Sequence, residues 1–244
     1  MTRALQRNSA APLSYPTAVI LDLFGTLVAA PSASERSTAA ARMAEILRIS
    51  PTVAESALLE IWQARHGGRL TSSAEVAAHL TMRCNASAEC AGELEMLLAG
   101  LADARLQADT TVLQALVRLK SDGIRLAILS DAAPDIAEAW GRSALVGHFD
   151  AAVFSSIAGA VKPDPLLFDA TLRELDVAAD QALNCGDGGG NELAGAMRAG
   201  MCAMRVVRRG GQSRLAFGEG VAWFGSPLLD VEALPALLSA LRTR

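Results

Sequence analysis

The chain has 244 residues, of which 51% are hydrophobic and 20% charged, so it can bury a core and is too apolar to be disordered. A net charge of −4 without any block of like charges gives no electrostatic footprint for nucleic acid or acidic lipid. No apolar run has the length of a signal peptide or a membrane span. We therefore expect a cytoplasmic protein that acts on a small molecule and binds neither nucleic acid nor membrane. The sequence leaves its oligomeric state open.

The chain begins with a segment that differs from the rest. Residues 1–14 are rich in Ser, Ala and Pro and are predicted to form a flexible tail. Residues 18–23 then form a continuous apolar run with a single acid, Asp22, near its end, bounded by Pro16 and Gly25. Such a run is typical of a strand that is buried on both faces and carries its charge at the carboxyl end.

Residues 34–106 are predicted to form an α-helical insertion, because four helical stretches follow one another there without a convincing strand. Ser34, Thr52, Ser73 and Ser87 are the predicted N-caps of these helices, since a hydroxyl can accept the exposed N–H groups of a first turn.

After the insertion, short apolar runs alternate with amphipathic helical stretches. The predicted strands are 125–129, 151–154, 182–185 and 202–207, and the predicted helices are 112–120, 135–142, 165–175, 192–199 and 231–241. This alternation favours an α/β fold, a Rossmann-like three-layer α/β/α core with a parallel sheet. The core is predicted to comprise residues 15–33 and 107–244.

Four polar residues lie at or just beyond the ends of predicted strands or in the loops that follow them: Asp22, Ser130, Lys162 and Asp187. In open parallel sheets, ligands bind beyond the carboxyl ends of the strands. The glycine run after Asp187 would let the backbone approach a ligand closely. These residues are therefore the candidate site.

Their order and local sequence resemble the four motifs of the haloacid dehalogenase superfamily. The matching segments are Asp22-Leu-Phe-Gly-Thr26, Ser130, Lys162-Pro-Asp-Pro and Gly186-Asp187-Gly-Gly-Gly-Asn191-Glu192. Each motif alone is weak, whereas four ordered motifs at strand ends are specific. The resemblance extends from about residue 19 to residue 207, and it identifies the helical insertion as a cap of the kind placed after the first motif.

The resemblance implies a role for each matching residue. Asp22 would be the nucleophile that forms a covalent aspartyl intermediate, and Ser130 and Lys162 would hold the oxygens of the transferred group. Mg²⁺ would be held by the carboxylates of Asp22 and Asp187 and by the backbone carbonyl of Phe24. Thr26, Asn191 and Glu192 would then support the loops around these residues.

Phe24 departs from the pattern of the family's phosphatases. These enzymes carry an acid at this position as general acid/base, a group typically worth about 10²- to 10⁴-fold in rate. The family's dehalogenases carry an aromatic residue there, because a departing halide needs no proton. Phe24 therefore favours a hydrolase of carbon–halogen bonds, unless another side chain supplies the proton. Asp131, directly after Ser130, is the candidate substitute.

Asp187 favours the opposite conclusion. Two carboxylates close together resist joint ionisation unless a cation lies between them, and the dehalogenases, which use no metal, have replaced this acid. We therefore predict a Mg²⁺-dependent phosphatase of a small phosphorylated metabolite. A 2-haloacid dehalogenase-like enzyme is the alternative. A catalytically silent binding protein of the same fold is a third possibility, which only Phe24 supports.

Trp62, Arg65 and His66 in the helical insertion could offer stacking and anion-binding groups to a substrate. The alternative is an ordinary amphipathic helix with Trp62 packed inward and Arg65 solvated. We favour the alternative, because the sequence does not fix which helix face meets the site.

Overall fold

The computed structural model describes residues 15–208 and 225–242, so the predicted tail at 1–14 lies outside the described residues. A six-stranded sheet has the order β3-β2-β1-β4-β5-β6, and all of its strand pairs are parallel. The strands are β1 (Ala18–Leu21), β2 (Arg125–Ser130), β3 (Ala151–Phe154), β4 (Ala182–Gly186), β5 (Cys202–Val207) and β6 (Leu228–Leu229). The predicted parallel α/β sheet is confirmed.

Helices cover both faces of the sheet. They are α6 (Thr110–Ser121), α7 (Pro134–Trp140), α8 (Ser155–Ala158), α9 (Pro165–Leu175), α10 (Glu192–Arg198) and α11 (Leu234–Arg242). Val19 and Leu21 of β1 pack into one apolar cluster with α6, α7 and α11, whereas Ala18 and Ile20 pack into another with α9 and α10. Because side chains alternate along a strand, this division produces the three-layer arrangement.

Five helices lie between β1 and α6. They are α1 (Ala33–Leu47), α2 (Pro51–Glu60), α3 (Trp62–His66), α4 (Ser73–Arg83) and α5 (Cys90–Arg105). We call residues 33–105 the helical insertion. It buries a third apolar cluster of its own, centred on side chains such as Met43, Leu80 and Leu94. Its helical content agrees with the prediction, whereas the division into core and cap domains stays a prediction.

Several predicted boundaries are wrong. β1 ends at Leu21, so Asp22 follows the strand, and the short elements α8 and β6 were not predicted. The N-caps of α1, α2 and α4 are Ser32, Ser50 and Ser72, each of which accepts a backbone N–H three residues later. The predicted caps Ser34, Thr52 and Ser73 therefore lie inside the helices. The residue before α5 is Glu89 instead of Ser87, and its side chain makes no cap bond.

Within the described residues, no helix combines the length and apolar character needed to cross a membrane.

Candidate active site

The site lies where β1, β2 and β4 end side by side. Asp22 directly follows β1, Ser130 is the last residue of β2, and Asp187 directly follows β4. The Asp22 N–H donates to the Cys185 carbonyl at 2.9 Å, which extends the β1–β4 ladder to Asp22. Asp22 is 8% exposed and Ser130 is 1% exposed. The parallel register thus brings three of the four predicted residues to one edge of the sheet.

Lys162 reaches this edge from the loop between α8 and α9. Its ammonium Nζ donates to Asp22 Oδ1 at 2.7 Å and to Glu192 Oε2 at 2.6 Å, and all three side chains are almost fully buried. Burial disfavours the Lys162 ammonium, but the charges of Asp22, Glu192 and Asp131 outweigh burial and raise the pKa of Lys162. Lys162 therefore stays charged and fixes the orientation of the Asp22 carboxylate.

Three carboxylates share this small volume with one ammonium. One oxygen each of Asp22, Asp187 and Glu192 lies within 4.8 Å of the other two. Burial, and then the charge of Asp22, raises the pKa of Asp187. Burial and the two neighbouring aspartates likewise raise the pKa of Glu192, although the Lys162 ammonium favours its ionised form. The cluster therefore carries more negative charge than Lys162 can offset.

A divalent cation fits this arrangement between Asp22 and Asp187. Glu192 has both oxygens engaged, since Oε1 accepts from the Gly188 N–H at 2.9 Å and Oε2 accepts from Lys162. Asp187 uses Oδ1 to accept from the Gly189 N–H at 2.7 Å, and its Oδ2 faces the loop that carries Asp22. Carboxylate oxygens from two loops are the ligands that Mg²⁺ prefers, and the excess negative charge provides the attraction.

Two glycines allow these loops to approach each other. Gly25 has φ +80°, and a Cβ atom built on it would lie 2.4 Å from Asp187 Oδ2. A Cβ atom on Gly186 would lie 1.9 Å from Glu192 Oε1. Any side chain at either position would separate the acids, so both glycines are required for the close approach.

Phe24 and Thr26 complete the loop after Asp22. The Phe24 side chain packs against the apolar cluster that includes Val19 and Leu21, so no acid occupies this position. The Thr26 hydroxyl donates to Asp22 Oδ2 at 3.4 Å and is buried. Thr26 thus contacts Asp22. Its supporting role and the metal-binding role of the Phe24 carbonyl stay predictions.

Asp131 also belongs to this charged group. Its Oδ1 accepts from the backbone N–H of Lys162 at 2.9 Å, and its Oδ2 would lie 3.1 Å from a Cβ atom built on Gly190. Burial raises the pKa of Asp131, the Lys162 charge lowers it and the Asp22 charge raises it again, with a net increase. Asp131 is therefore a partly buried carboxyl group, held by one hydrogen bond, that interacts electrostatically with Asp22.

Asn191 is the last member of the fourth motif before Glu192. It has φ 54° and stands at the start of α10, directly after Gly190. Asn is among the few residues that tolerate this left-handed conformation, which suits the turn from the glycine run into the helix. Its role in supporting the loop stays a prediction.

The candidate substrate-binding residues of the helical insertion lie on α3. The rings of Trp62 and His66 stack with centroids 4.5 Å apart, and His66 Nδ1 lies 3.0 Å from the Trp62 carbonyl oxygen. Burial, and then the Arg65 charge, lowers the pKa of His66 to about 3. The expectation of a solvated Arg65 is wrong, because its Nε is enclosed by protein and has no hydrogen-bond partner.

Asp135 is a buried acid that the sequence analysis did not select. It lies in the first turn of α7, four residues after Asp131, and is 4% exposed. Its Oδ1 is enclosed and has no hydrogen-bond partner. Burial raises its pKa, whereas the charges of Arg65 and Arg105 lower it, with a net increase. The acid in the run Ala132-Ala-Pro-Asp135-Ile136 is surrounded by apolar residues, which is the signal that could have identified it.

Residues 16–200 match the family model described as haloacid dehalogenase-like hydrolase. The chain belongs to this family. It is 35% identical over 98 residues to the phosphoserine phosphatase of Thermus thermophilus, a match that spans 38% of this chain and 38% of that relative. The chain therefore matches little more than a third of the length of this curated relative.

Solved structures of the family have the same fold. A 2-haloacid dehalogenase from Pseudomonas syringae pv. Tomato DC3000 superimposes with a TM-score of 0.65 at 22% identity, covering 93% of this chain and 99% of that chain. A HAD phosphatase from Thermococcus onnurineus superimposes with a TM-score of 0.62 at 19% identity, covering 91% and 97%. The likeness to a dehalogenase and to a phosphatase is equally good, so the overall fold does not distinguish the two reactions.

Proposed function

We propose that this haloacid dehalogenase-like hydrolase is a Mg²⁺-dependent phosphatase of a small phosphorylated metabolite, with Asp22 as its nucleophile. The observation that carries the proposal is the group of Asp22, Asp187 and Glu192, whose oxygens lie within 4.8 Å of one another around one ammonium. The partial match to a phosphoserine phosphatase supports the same reaction class.

The charge balance explains why a metal belongs to the proposal. A phosphate ester is anionic and would be repelled by Asp22, Asp187 and Glu192, which Lys162 alone does not neutralise. The Asp22 and Asp187 carboxylates and the Phe24 carbonyl would hold Mg²⁺. When bound, the ion supplies the positive charge that lets an anionic phosphate approach the nucleophile.

In the first step, an oxygen of Asp22 attacks phosphorus and the bond to the leaving-group oxygen breaks, giving an aspartyl phosphate and an alcohol. Lys162 and the Ser130 hydroxyl would donate to the phosphoryl oxygens, on which negative charge develops. Glu192 keeps Lys162 in position through the 2.6 Å contact. Thr26 supports Asp22 from the other side.

The leaving alcohol needs a proton that Phe24 cannot supply. We assign this role to Asp131, because its partly buried carboxyl has a raised pKa and the Lys162 backbone N–H holds its Oδ1 at 2.9 Å. In the second step, water attacks phosphorus, the bond to Asp22 breaks and Asp131 takes up the water proton. Inorganic phosphate and the free enzyme result, so atoms and charges balance.

Phe24 supports a second candidate, hydrolysis of a carbon–halogen bond. In that reaction Asp22 attacks carbon and the halide leaves without a proton, so no acid is required where Phe24 packs into the core. Water then cleaves the ester to give a hydroxy acid. Asp187 would have no task in this reaction, and its burial beside Asp22 would only add repulsion. The retained Asp187 is why we prefer the phosphatase.

Trapping of the covalent intermediate tests the proposal. The enzyme is mixed with acetyl phosphate and Mg²⁺, quenched in acid within milliseconds and digested, and the peptide that contains Asp22 is weighed. We expect a phosphorylated peptide that is absent when EDTA replaces Mg²⁺ and absent in Asp22→Asn. The exposed Asp169→Asn on α9 is the matched control and should keep the adduct.

A different covalent product would contradict the phosphatase. If incubation with 2-chloropropionate gives an ester of the same peptide regardless of EDTA, while acetyl phosphate gives none, the carbon–halogen reaction replaces the phosphatase. If neither compound modifies Asp22, both reactions are wrong.

A further inference from the structure

The segment that carries Asp187 is rich in glycine. Gly188, Gly189 and Gly190 follow the acid, and Gly188 and Gly190 have φ of 102° and 59°. Glycine loses more conformational freedom on folding than any other residue, so this segment is costly to hold in one conformation. A metal ligand has to be oriented by its surroundings. Asp187 therefore needs contacts that fix the segment around it.

Hydrogen bonds reach this segment from both sides. The Gly189 N–H donates to Asp187 Oδ1 at 2.7 Å, and the Gly188 N–H donates to Glu192 Oε1 at 2.9 Å, so these two bonds stay within the segment and the first residue of α10. A third bond comes from the neighbouring strand. Arg205 Nε on β5 donates to the Asp187 carbonyl oxygen at 3.1 Å. Arg205 thus connects the glycine-rich segment to the sheet.

The strand register explains why Arg205 reaches Asp187. Arg205 is paired with Gly186, the last residue of β4, so the pairing of β4 with β5 ends one residue before Asp187. The Arg205 side chain adds one more contact beyond that end. Arg205 is partly buried and is the charged residue of the strand Cys-Ala-Met-Arg-Val-Val. It was not among the predicted site residues, although a charge within an apolar strand was a signal.

The charge and the hydrogen bond of Arg205 have opposite consequences for a cation at Asp187. The guanidinium interacts electrostatically with Asp187, so its positive charge would repel a metal ion bound there. The hydrogen bond would favour the metal, because a ligand that is already held in place loses less freedom on binding. Removing such an outer contact typically costs about 10- to 100-fold in metal affinity.

We propose that Arg205 is a positioning residue for Asp187, whose carbonyl it holds so that the carboxylate is fixed for Mg²⁺. The inference rests on the proposed phosphatase function, which assigns Mg²⁺ to Asp187. Arg205 acts through Asp187, and its role requires no contact with the metal or the substrate.

Two variants of equal charge separate the hydrogen bond from the charge. Arg205→Gln keeps an N–H donor at the same distance along the side chain as Arg205 Nε, whereas Arg205→Met has a similar length and no donor. Mg²⁺ is titrated calorimetrically into each metal-free enzyme without substrate. We expect Arg205→Met to bind Mg²⁺ at least about ten-fold more weakly than Arg205→Gln. Arg205→Gln should match or exceed the wild-type affinity, because it retains the donor and lacks the repelling charge.

Arg173 on α9 provides the matched control. Its Nε also donates to a backbone carbonyl, that of Asp169 at 3.3 Å, and it is exposed. The carbonyl of Leu175, the last residue of α9, accepts from Arg125 at the start of β2, so this end of α9 lies at the sheet edge opposite the acids. Arg173→Met should therefore leave the Mg²⁺ affinity unchanged. Thermal midpoints in EDTA report folding, and Arg205→Leu serves where Arg205→Met does not fold.

The outcomes distinguish the positioning role from the phosphatase. Equal Mg²⁺ affinities of Arg205→Gln and Arg205→Met would overturn the positioning role, and an equal gain in both would show that Arg205 acts by its charge. No Mg²⁺ binding by the wild type would overturn the positioning role together with the metal site. Phosphate release is measured separately. Mg²⁺ binding that is weakened only in Arg205→Met, in an enzyme that releases no phosphate, would contradict the phosphatase and leave the positioning role intact.

Discussion

The described residues outside the helical insertion form the sheet and the helices that cover its faces, and we call them the sheet-based part. This part and the helical insertion both bury apolar clusters, but they differ in the charged side chains that they bury. Within the residues that the structure describes, the Asp, Glu, Lys and Arg residues with less than 9% exposure all belong to the sheet-based part: Asp22, Asp135, Lys162, Glu192 and Asp230. The buried polar residues of the insertion are the neutral Ser73 and Thr81. An ion pair of the insertion such as Arg83–Glu60 is about half exposed.

This difference in buried charge indicates which part of the molecule carries the reaction. Removing an ion from water costs several kcal/mol even after relaxation, so buried charges persist where partners or a function compensate for the cost. The sheet-based part concentrates such charges at the ends of β1, β2 and β4. The insertion contributes an enclosed Arg65 at its boundary and otherwise apolar packing. We propose that the first part carries the reaction.

The largest expected effect is at the nucleophile. Asp22→Asn keeps the side-chain volume but removes the attacking charge, so we expect turnover to fall by at least about 10³-fold. Steady-state phosphate release measures the change, and Asp169→Asn is the control for an exposed acid of the same part. Circular dichroism should show the same fold for all three proteins. A wild-type rate for Asp22→Asn would remove the reaction from this site.

A second change tests the absence of an acid at position 24, where this chain has Phe24. In an Asp131→Asn background, which removes the assigned proton donor, Phe24→Asp should accelerate hydrolysis of alkyl phosphates by up to about 10²- to 10⁴-fold and change aryl phosphates little, because only the alkoxide needs a proton to depart. Phe24→Asn is the control for loss of the aromatic ring. An equal acceleration of both substrate types by the two variants would show that the ring acts only by its bulk.

Asp131→Asn tests the residue that we assign in place of the missing acid. Alkyl phosphates should slow by about 10²-fold, whereas aryl phosphates should keep their rate. Since burial raises the pKa of Asp131, its acid form persists to higher pH than that of an ordinary aspartate, and the alkyl rate should fall as pH rises through this pKa. The pH–rate profile of Asp131→Asn should lack that limb. If the limb persists in the variant, another group donates the proton.

The metal prediction concerns stability. A ligand that binds only the folded state at 100 times its Kd stabilises it by about 2.7 kcal/mol, which corresponds to roughly 5 to 10 °C for a chain of this size. Mg²⁺ should therefore raise the thermal midpoint, and Asp187→Ala should abolish the increase. The control Asp169→Ala should retain it. Identical midpoints with millimolar Mg²⁺ and with EDTA would contradict the metal site.

The smallest expected effect is a pH dependence of stability caused by His66 in the helical insertion. The pKa of His66 is lowered from 6.5 to about 3, so between these values the unfolded chain binds a proton that the folded protein excludes. Stability should therefore fall as pH decreases below 6.5, by up to about 1.4 kcal/mol per pH unit from this residue. Urea unfolding at pH 7 and pH 5 should show a smaller loss for His66→Gln than for the wild type. His79→Gln on α4 is the control, and equal losses in all three proteins would exclude the effect.

The sheet-based part was largely predictable, and the reason is physical. Continuous apolar strands mark a buried parallel sheet, and the chain's direction puts the ends of β1, β2 and β4 at one edge, so Asp22, Ser130 and Asp187 had to meet. The errors at the N-caps of α1 and α2 could have been avoided, because the sequence contains the signals for both caps. Ser32 and Glu35 have capping-box spacing, and Pro51 directly after Ser50 marks the first residue of α2.

The boundary between the two parts could not be predicted in the same way. Helical periodicity shows that a helix has an apolar face, but it does not show which neighbour covers that face. Arg65 was therefore expected to be solvated, and Asp135 was not selected as a candidate. In the structure, α3 packs against α8, α4 and α5 pack against α7, and Arg65 Nε and Asp135 Oδ1 are both enclosed.

The comparison of reaction classes with and without metal tests the central claim most directly. Release of phosphate from acetyl and aryl phosphates, and of halide from 2-chloropropionate, is measured for the wild-type enzyme at millimolar Mg²⁺ and in EDTA. We predict phosphate release that requires Mg²⁺ and Asp187, with no halide release under either condition. Halide release that is unaffected by EDTA and by Asp187→Ala, without phosphate release, would contradict this account.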